Sequence, residues 1–472
     1  MQEEKAGRQE VQEGEGRMDT LVAVRKFFSY AKRNGLESAL CAARERREDQ
    51  RLPYQYEPPS EKTLSSQRMR YREIASSGEM LTFSILVPLY ETSPRDLKEM
   101  IASVRSQTYE NFELILADAS KEPLQHLVEE AAEGDKRVHY LRLSRNNGIA
   151  ENTNAALLMA SGDYACLLDH DDLLTPDALY EMAREIGAHA GEEVVLLYSD
   201  EDKCEEEGKR FFEPNRKPDF NLDYLLSNNY ICHFTVIRME ELKEAGFRRE
   251  YDGSQDYDVI LRTGAQAEMS GKGRVLHVPK VLYHWRTSRT STAANPASKH
   301  YAYDAGRRVV MDFLSRRNID AKVENLAHLG FYRVLYLPDV FAARRDVGVI
   351  GAKITDSRGR LLAGMYNEAG ETLFSGLKKG YSGGFQHRAA VQQDAFAVSL
   401  LGIRYRAELH ALYRRVCAGK KIEEMTEAEL REKSLSFCKA VRKRGYRIYW
   451  DPQEVYVRSK DSGALVKESR RE

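Results

Sequence analysis

The sequence predicts an α/β protein, a mixed and largely parallel sheet with flanking helices, and three observations carry that expectation. From Leu81 onward, short apolar runs alternate with segments of helical spacing, the pattern of a sheet covered by helices. Four strand-to-helix alternations are complete before Ser199. Pro94 and Pro176 stand near helix starts, where a missing N–H is harmless.

Residues 1 to 18 are almost wholly charged or small and are expected to be disordered. Leu21 to Arg47 has Leu, Val, Phe and Ala at helical spacing, which predicts one or two amphipathic helices. Two readings stand for the basic cluster Arg25, Lys32 and Arg33: a solvated helix face, or attachment to an anionic membrane surface. Arg51 to Glu79 reads as a linker. Strands are expected at Phe83–Pro88, Phe112–Asp118, Val138–Leu143, Tyr164–Asp169 and Val194–Ser199, with helices near Arg95–Gln107, Glu122–Glu133, Glu151–Ala160 and Pro176–His189. The domain plan is thus a helical start and linker over 1–79, a main domain over 80–317, and a smaller α/β domain over 318–472.

A chain of 472 residues is too long for one ordinary core. Its 72 Lys and Arg nearly cancel 73 Asp and Glu, so no global charge draws it to nucleic acid. The six cysteines, at 41, 166, 204, 232, 417 and 438, form no CxxC pair and no disulfide framework, which fits a reducing cytosol. No apolar stretch approaches the ~20 residues of a membrane span, and the first residues lack a signal peptide's pattern. A cytoplasmic protein is expected, with peripheral contact at the inner membrane face as the membrane alternative.

In sheets of this kind, ligands bind beyond the carboxyl ends of the strands. Three runs end in polar groups there: Pro88-Leu89-Tyr90-Glu91, Asp118-Ala119-Ser120 and Asp169-His170-Asp171-Asp172. Asp118 alone reads equally well as a helix cap. The third run sets three carboxylates within four residues, where repulsion is costly without a cation. Carboxylate oxygens suit Mg2+ or Mn2+, ions that keep waters and bridge phosphates. A capped turn is the plainer alternative. A calcium loop is not, since DHDDLLTPDALY lacks Gly at its sixth place and Glu at its twelfth.

Taken together, these residues resemble the family 2 glycosyltransferases of GT-A fold, a Rossmann-like mixed sheet. The likeness runs through Ser84–Glu91, Asp118-Ala119-Ser120, Asn147-Gly148-Ile149, Asp169-His170-Asp171 and Gly253-Ser254-Gln255-Asp256-Tyr257-Asp258, in family order. Tyr198-Ser199-Asp200-Glu201-Asp202-Lys203 and Tyr283-His284-Trp285-Arg286 are similar to strings in a bacterial subgroup that builds rhamnose-containing and other surface polysaccharides. The resemblance implies a nucleotide-diphosphate sugar donor and a glycan or lipid-linked glycan acceptor. Asp118 would hold the base, with Pro88, Tyr90 and Glu91 walling the pocket beside Asn147 and Gly148. Asp169 would face the ribose, Asp171 and His284 would hold the metal, Arg286 would add charge at the diphosphate, and Asp256 would be the general base. Gln255 replaces the first member of the family's acidic pair.

The chemistry has its own logic. A diphosphate leaves readily once its charge is neutralised, and an acceptor hydroxyl needs a carboxylate to take its proton. One base and no carboxylate nucleophile imply a single inverting displacement. Asp256 also reads as a helix cap, and His284 as a structural histidine. Ser199–Lys203 reads as a solvated turn or an acceptor-side wall.

Residues after about 318 resemble the remnant of a second transferase domain, from Gly330-Phe331-Tyr332-Arg333 through Asp346–Lys353. Ser434-Leu435-Ser436-Phe437-Cys438 stands where the first copy has Asp256-Tyr257-Asp258-Val259-Ile260, so both carboxylates are serines. Residues 330 to 460 are expected to support the first domain or to help hold a glycan acceptor. Two other functions compete: a non-catalytic nucleotide-sugar-binding or assembly partner of another transferase, and a nucleotidyltransferase. The second would need a Gly- and Lys/Arg-rich loop after the first strand, and Leu89–Pro94 offers none.

Overall fold

The computed structural model describes residues 24–51, 53–77, 80–287, 300–384, 386–459 and 464–468; the expectation for residues 1–18 lies outside them. The chain forms two compact units that do not follow chain order. One comprises Tyr54–Asn325 with Leu329–Arg345; the other comprises Met1–Pro53, Leu326–His328 and Asp346–Glu472.

The first unit is built on a nine-stranded mixed sheet. Its strands are β1 (Phe83–Leu89), β2 (Phe112–Asp118), β3 (Val138–Arg142), β4 (Tyr164–Leu167), β5 (Leu173–Leu174), β6 (Val194–Cys204), β7 (Phe211–Asn215), β8 (Thr235–Arg238) and β9 (Arg274–Arg286). The order is β3-β2-β1-β4-β8-β6-β9-β5, with β7 on β6. β1 pairs in parallel with β2 and β4, and β2 with β3, so the carboxyl ends of these four strands share one edge. β8 runs antiparallel between β4 and β6, and β6 and β9 are parallel.

Helices Pro94–Arg105, Gln125–Ala132, Ile149–Met159 and Ala178–Ala188 connect the first strands, each within a few residues of its expected place. Ser93 caps the first of them by accepting the Asp96 N–H at 3.1 Å, with Pro94 at the first helical position. Phe83, Ile85 and Val87 on β1, Leu114 and Leu116 on β2, and Leu97, Met100, Ile101 and Val104 on the helix between form the heart of the core.

β6 continues through Cys204, well past the expected end at Ser199. Asp200, Glu201 and Asp202 are therefore buried strand residues and not a solvated turn. Each carboxylate has a partner that makes burial tolerable. Asp200 meets His277 Nε2 at 2.9 Å, Glu201 meets His233 Nδ1 at 3.1 Å, and Asp202 meets His284 Nδ1 at 2.5 Å.

In the second unit, Val347–Thr355 pairs in parallel with Arg447–Arg458, Val349 opposite Ile448. Helix Glu427–Arg442 packs against them and opens on a capping box, Thr426 and Glu429 accepting one another's backbone N–H. Ser434 lies buried in that helix; its hydroxyl donates to the Leu430 carbonyl at 2.6 Å and accepts the Leu400 N–H at 3.0 Å. The residue opposite Asp256 in the internal comparison thus braces a core.

Candidate active site

The turns after β1 and β2 are tied together. The Glu91 N–H donates to Ser120 Oγ at 2.9 Å, and Glu91 Oε1 accepts the Lys121 N–H at 2.8 Å. Pro88 lies at the end of β1, and Tyr90 beyond it is exposed. Asp118 closes β2 fully buried. It accepts the N–H groups of Ser120 and Leu124 at 2.8 and 2.9 Å, the Tyr140 hydroxyl at 2.6 Å and Arg142 at 3.1 Å. Burial works to raise its pKa, but these donors outweigh it and the carboxyl is held below its ordinary value.

Asn147 and Gly148 lead into helix Ile149–Met159; the Asn147 N–H faces Asn152 Oδ1 at 3.4 Å. Gly148 has a φ of 99°, and a Cβ there would lie 2.1 Å from Asp252 Oδ2. The other oxygen of Asp252 accepts the Ala150 N–H at 3.1 Å, which satisfies one of the helix's free N-terminal donors.

The acidic turn after β4 is held from behind by β9. Asp172 is wholly buried, accepting the Arg286 N–H at 2.7 Å on one oxygen and the Tyr283 hydroxyl on the other. The Arg286 guanidinium donates to the carbonyls of Asp171 and Glu206, both at 2.6 Å, and lies 2.7 Å from Glu99. Arg286 therefore clamps the turn from within the protein, with no surface exposed. Burial pushes the Asp171 carboxyl up and the Asp172 carboxyl further up, with neighbouring carboxylates adding to both.

In front of this turn stands His233, a residue the sequence reading passed over. Its ring stacks on Tyr283 with centroids 4.6 Å apart, and its Nε2 lies 3.8 Å from Asp169 Oδ2. Glu201 fixes Nδ1 and also accepts Asn215 at 2.8 Å, with the buried Lys217 ammonium 3.5 Å away. Burial would raise the Glu201 carboxyl, but Lys217 and His233 bring it down to about 2. Asp169, Asp172 and His233 each present a ligand atom, all within 4.8 Å of one another. Asp171 and His284 are not in that set. His284 turns its Nδ1 to Asp202 and packs between the rings of Tyr56 and Phe211, with centroids 4.6 and 4.3 Å away.

Asp256 lies in the first turn of helix Gln255–Ile260. Its Oδ2 accepts the Asn229 amide at 2.7 Å and the Cys232 thiol at 3.5 Å, and Cys232 Sγ is 3.5 Å from His233 Nε2. Burial raises the Asp256 carboxyl. The structure thus joins Asp169, Asp172, His233 and Asp256 in one polar cluster, while Arg286 holds its turn from behind. Asn229 and Cys232 were also missed: an Asn-Asn pair and a lone Cys around Tyr230-Ile231 give no sequence signal.

Residues 84–246 match the family model for glycosyl transferase family 2. They form a family 2 glycosyltransferase domain. With the mixed sheet, the domain has the Rossmann-like GT-A architecture, and the second unit adds an α/β domain. An uncharacterized protein, y4gI, of Sinorhizobium fredii is 37% identical over 294 residues, covering 60% of this chain and 32% of the relative. The O-antigen biosynthesis protein RfbC of Myxococcus xanthus is 36% identical over 256 residues, covering 54% of this chain and 19% of the relative. The chain thus spans 32% and 19% of the length of these two relatives. The structure of Staphylococcus aureus TarS 1-349 with UDP-GlcNAc aligns over 50% of this chain and 67% of that one, at 18% identity and a TM-score of 0.39. Among the described residues, no helix is long and apolar enough to cross a membrane.

Proposed function

We propose that the family 2 domain is an inverting, divalent-cation-assisted glycosyltransferase. It moves a sugar from a nucleotide-diphosphate donor to a hydroxyl of a glycan or lipid-linked glycan acceptor in cell-surface polysaccharide assembly. The observation that carries this reading is the position of Asp256, a buried carboxylate at a helix start, joined through Cys232 and His233 to the acidic turn after β4.

In this reading the base of the donor lies against Asp118, with Pro88, Tyr90 and Glu91 on one side and Asn147 and Gly148 on the other. Asp169, Asp172 and His233 are the residues that would hold Mg2+ or Mn2+. Two carboxylates and one imidazole whose other nitrogen is fixed by a carboxylate make a suitable donor set. Resemblance suggests Asp171 and His284 for this role; His284 has its Nδ1 on Asp202. A cation bound there would neutralise the departing nucleoside diphosphate.

Asp256 takes the proton of the acceptor hydroxyl as the new bond forms, and burial that raises its pKa makes it the stronger base once ionised. Asn229 and Cys232 fix its rotamer. With no carboxylate assigned as nucleophile, the anomeric configuration inverts in a single displacement.

Proton NMR of fresh product from the purified chain, supplied with candidate nucleotide-sugars and a glycan acceptor, tests this. Product with the inverted anomer and an Asp256→Asn variant that binds donor without transferring sugar are expected. A retained anomer, or undiminished transfer by the variant, would overturn the assignment.

A further inference from the structure

Helix 24–34 carries Arg25, Lys26, Lys32 and Arg33 and no acidic residue. Val24 and Phe28, one turn apart, are 44% and 64% exposed; the exposed Arg25 and Lys32 flank them, while the exposed Arg33 lies across the helix. After Gly35 the arrangement recurs in helix Leu36–Asp49. Leu36 and Leu40 are 61% and 42% exposed, and Arg44 and Arg47 are exposed on the turns that follow. Single exposed apolar side chains are ordinary. Two successive helices that each place an apolar pair beside cations are not scattered.

Two of the four acids of the second helix, Glu45 and Glu48, are drawn the other way. Glu45 is buried and its carboxylate accepts the N–H groups of Ser382, Gly383 and Gly384 at 2.8 to 3.0 Å, together with the Ser382 hydroxyl at 3.0 Å. Glu48 takes Lys378 at 2.8 Å and the Tyr381 hydroxyl at 3.1 Å. Glu37 stays exposed in the first turn. The helix is thereby fastened to loop 378–384 by its acidic face, and its apolar and basic face is turned outward.

We propose that this outward face is a docking surface for an anionic lipid bilayer. Cations beside shallow apolar side chains are what an interface of acidic headgroups over hydrocarbon accepts. A polyanion such as nucleic acid would take the cations but offers nothing to Val24, Phe28, Leu36 and Leu40. A second copy would set like charges against each other. Docking of this kind holds a lipid-borne acceptor near the unit that carries it, and it stands independently of the chemistry proposed for Asp256.

Flotation of the full chain with phosphatidylcholine vesicles, with and without phosphatidylglycerol, is the test. Binding is expected to the anionic vesicles, at least tenfold weaker to the neutral ones, and weakened by salt. Phe28→Glu and Leu40→Glu should each lower binding on the order of tenfold, with the far-ultraviolet circular dichroism and thermal transition unchanged because both positions are exposed. No binding, equal binding to neutral vesicles, or binding untouched by both variants would overturn the proposal. So would a dimer in solution that Phe28→Glu dissociates without altering flotation.

Discussion

The side-chain amide of Asn229 donates to Oδ2 of Asp256 at 2.7 Å, the shortest of the contacts described on that carboxylate. Burial raises the Asp256 carboxyl, and a donor to its charged form opposes that rise. Removing the donor should therefore let the pKa climb further. Asn229→Ala is expected to lower kcat roughly tenfold near neutral pH and to move the acid limb of the rate profile upward, with donor KM little changed. The measurement is transfer rate against pH for both proteins; superimposable profiles would mean the amide has no positioning role.

The two histidines separate the metal reading from a purely structural one. His233 sits with Asp169 and Asp172, whereas His284 is packed by Tyr56 and Phe211 and bonded to Asp202. Mn2+ affinity, followed by electron paramagnetic resonance, should fall tenfold or more in His233→Ala. Glu201→Gln should weaken it by roughly 10 to 100-fold, because Glu201 orients the ring. His284→Ala should leave Mn2+ affinity near that of the parent and instead cost about 1–3 kcal/mol of stability, since it takes the partner of one oxygen of the buried Asp202 and leaves only the Tyr54 hydroxyl on the other. The reverse pattern would return the ligand role to His284.

Why His233 escaped the sequence and Asp256 did not has a physical answer. Most strands and helices from Phe83 to Ala188 were legible because their apolar periodicity is local, whereas helix Glu61–Ser77 lay in the stretch read as a linker; Asp118 and Asp169 could be placed because a residue after a strand falls at the sheet's carboxyl edge. His233 precedes the apolar run Phe234–Ile237 and means nothing until β8 is inserted antiparallel between β4 and β6. The end of β6 was invisible for a related reason. Asp200-Glu201-Asp202 reads as solvated until Lys217, His233, His277 and His284 are brought to it from other segments. Arg286 was assigned to the diphosphate by position, but its burial beneath Asp171 and Asp172 is a tertiary fact.

Gly148 offers a test of how rigid the entry to helix Ile149–Met159 is. Its φ of 99° suits glycine, and an added Cβ would collide with Asp252 Oδ2 at 2.1 Å. Gly148→Ala should destabilise the first unit by roughly 1–3 kcal/mol, combining backbone strain with displacement of a carboxylate that caps Ala150. Adding Asp252→Ala removes the collision but not the strain. The double variant should therefore lose less than the two single losses summed, as denaturant melts would show. Strict additivity would mean the two residues do not meet.

Acid should loosen the second unit through a pair of histidines. The rings of His328 and His387 stack with centroids 3.5 Å apart, and His387 Nδ1 is 2.6 Å from the Ser382 hydroxyl. Burial depresses His328 to about 4 and His387 well below its ordinary value, so the folded unit holds both rings neutral. In the unfolded chain they take up protons near pH ~6.5. The unfolded state thus binds more protons between that pH and about 4, and stability must fall as pH drops through this window. The contribution is fully present above the unfolded value and is on the order of 3 kcal/mol for His328. Hydrogen exchange of residues 380–390 at pH 7.5 and pH 5 should show faster opening at the lower pH. His328→Phe, which keeps a ring against His387 and removes one titrating group, should flatten that dependence; an equally steep dependence in the variant would place the acid sensitivity elsewhere.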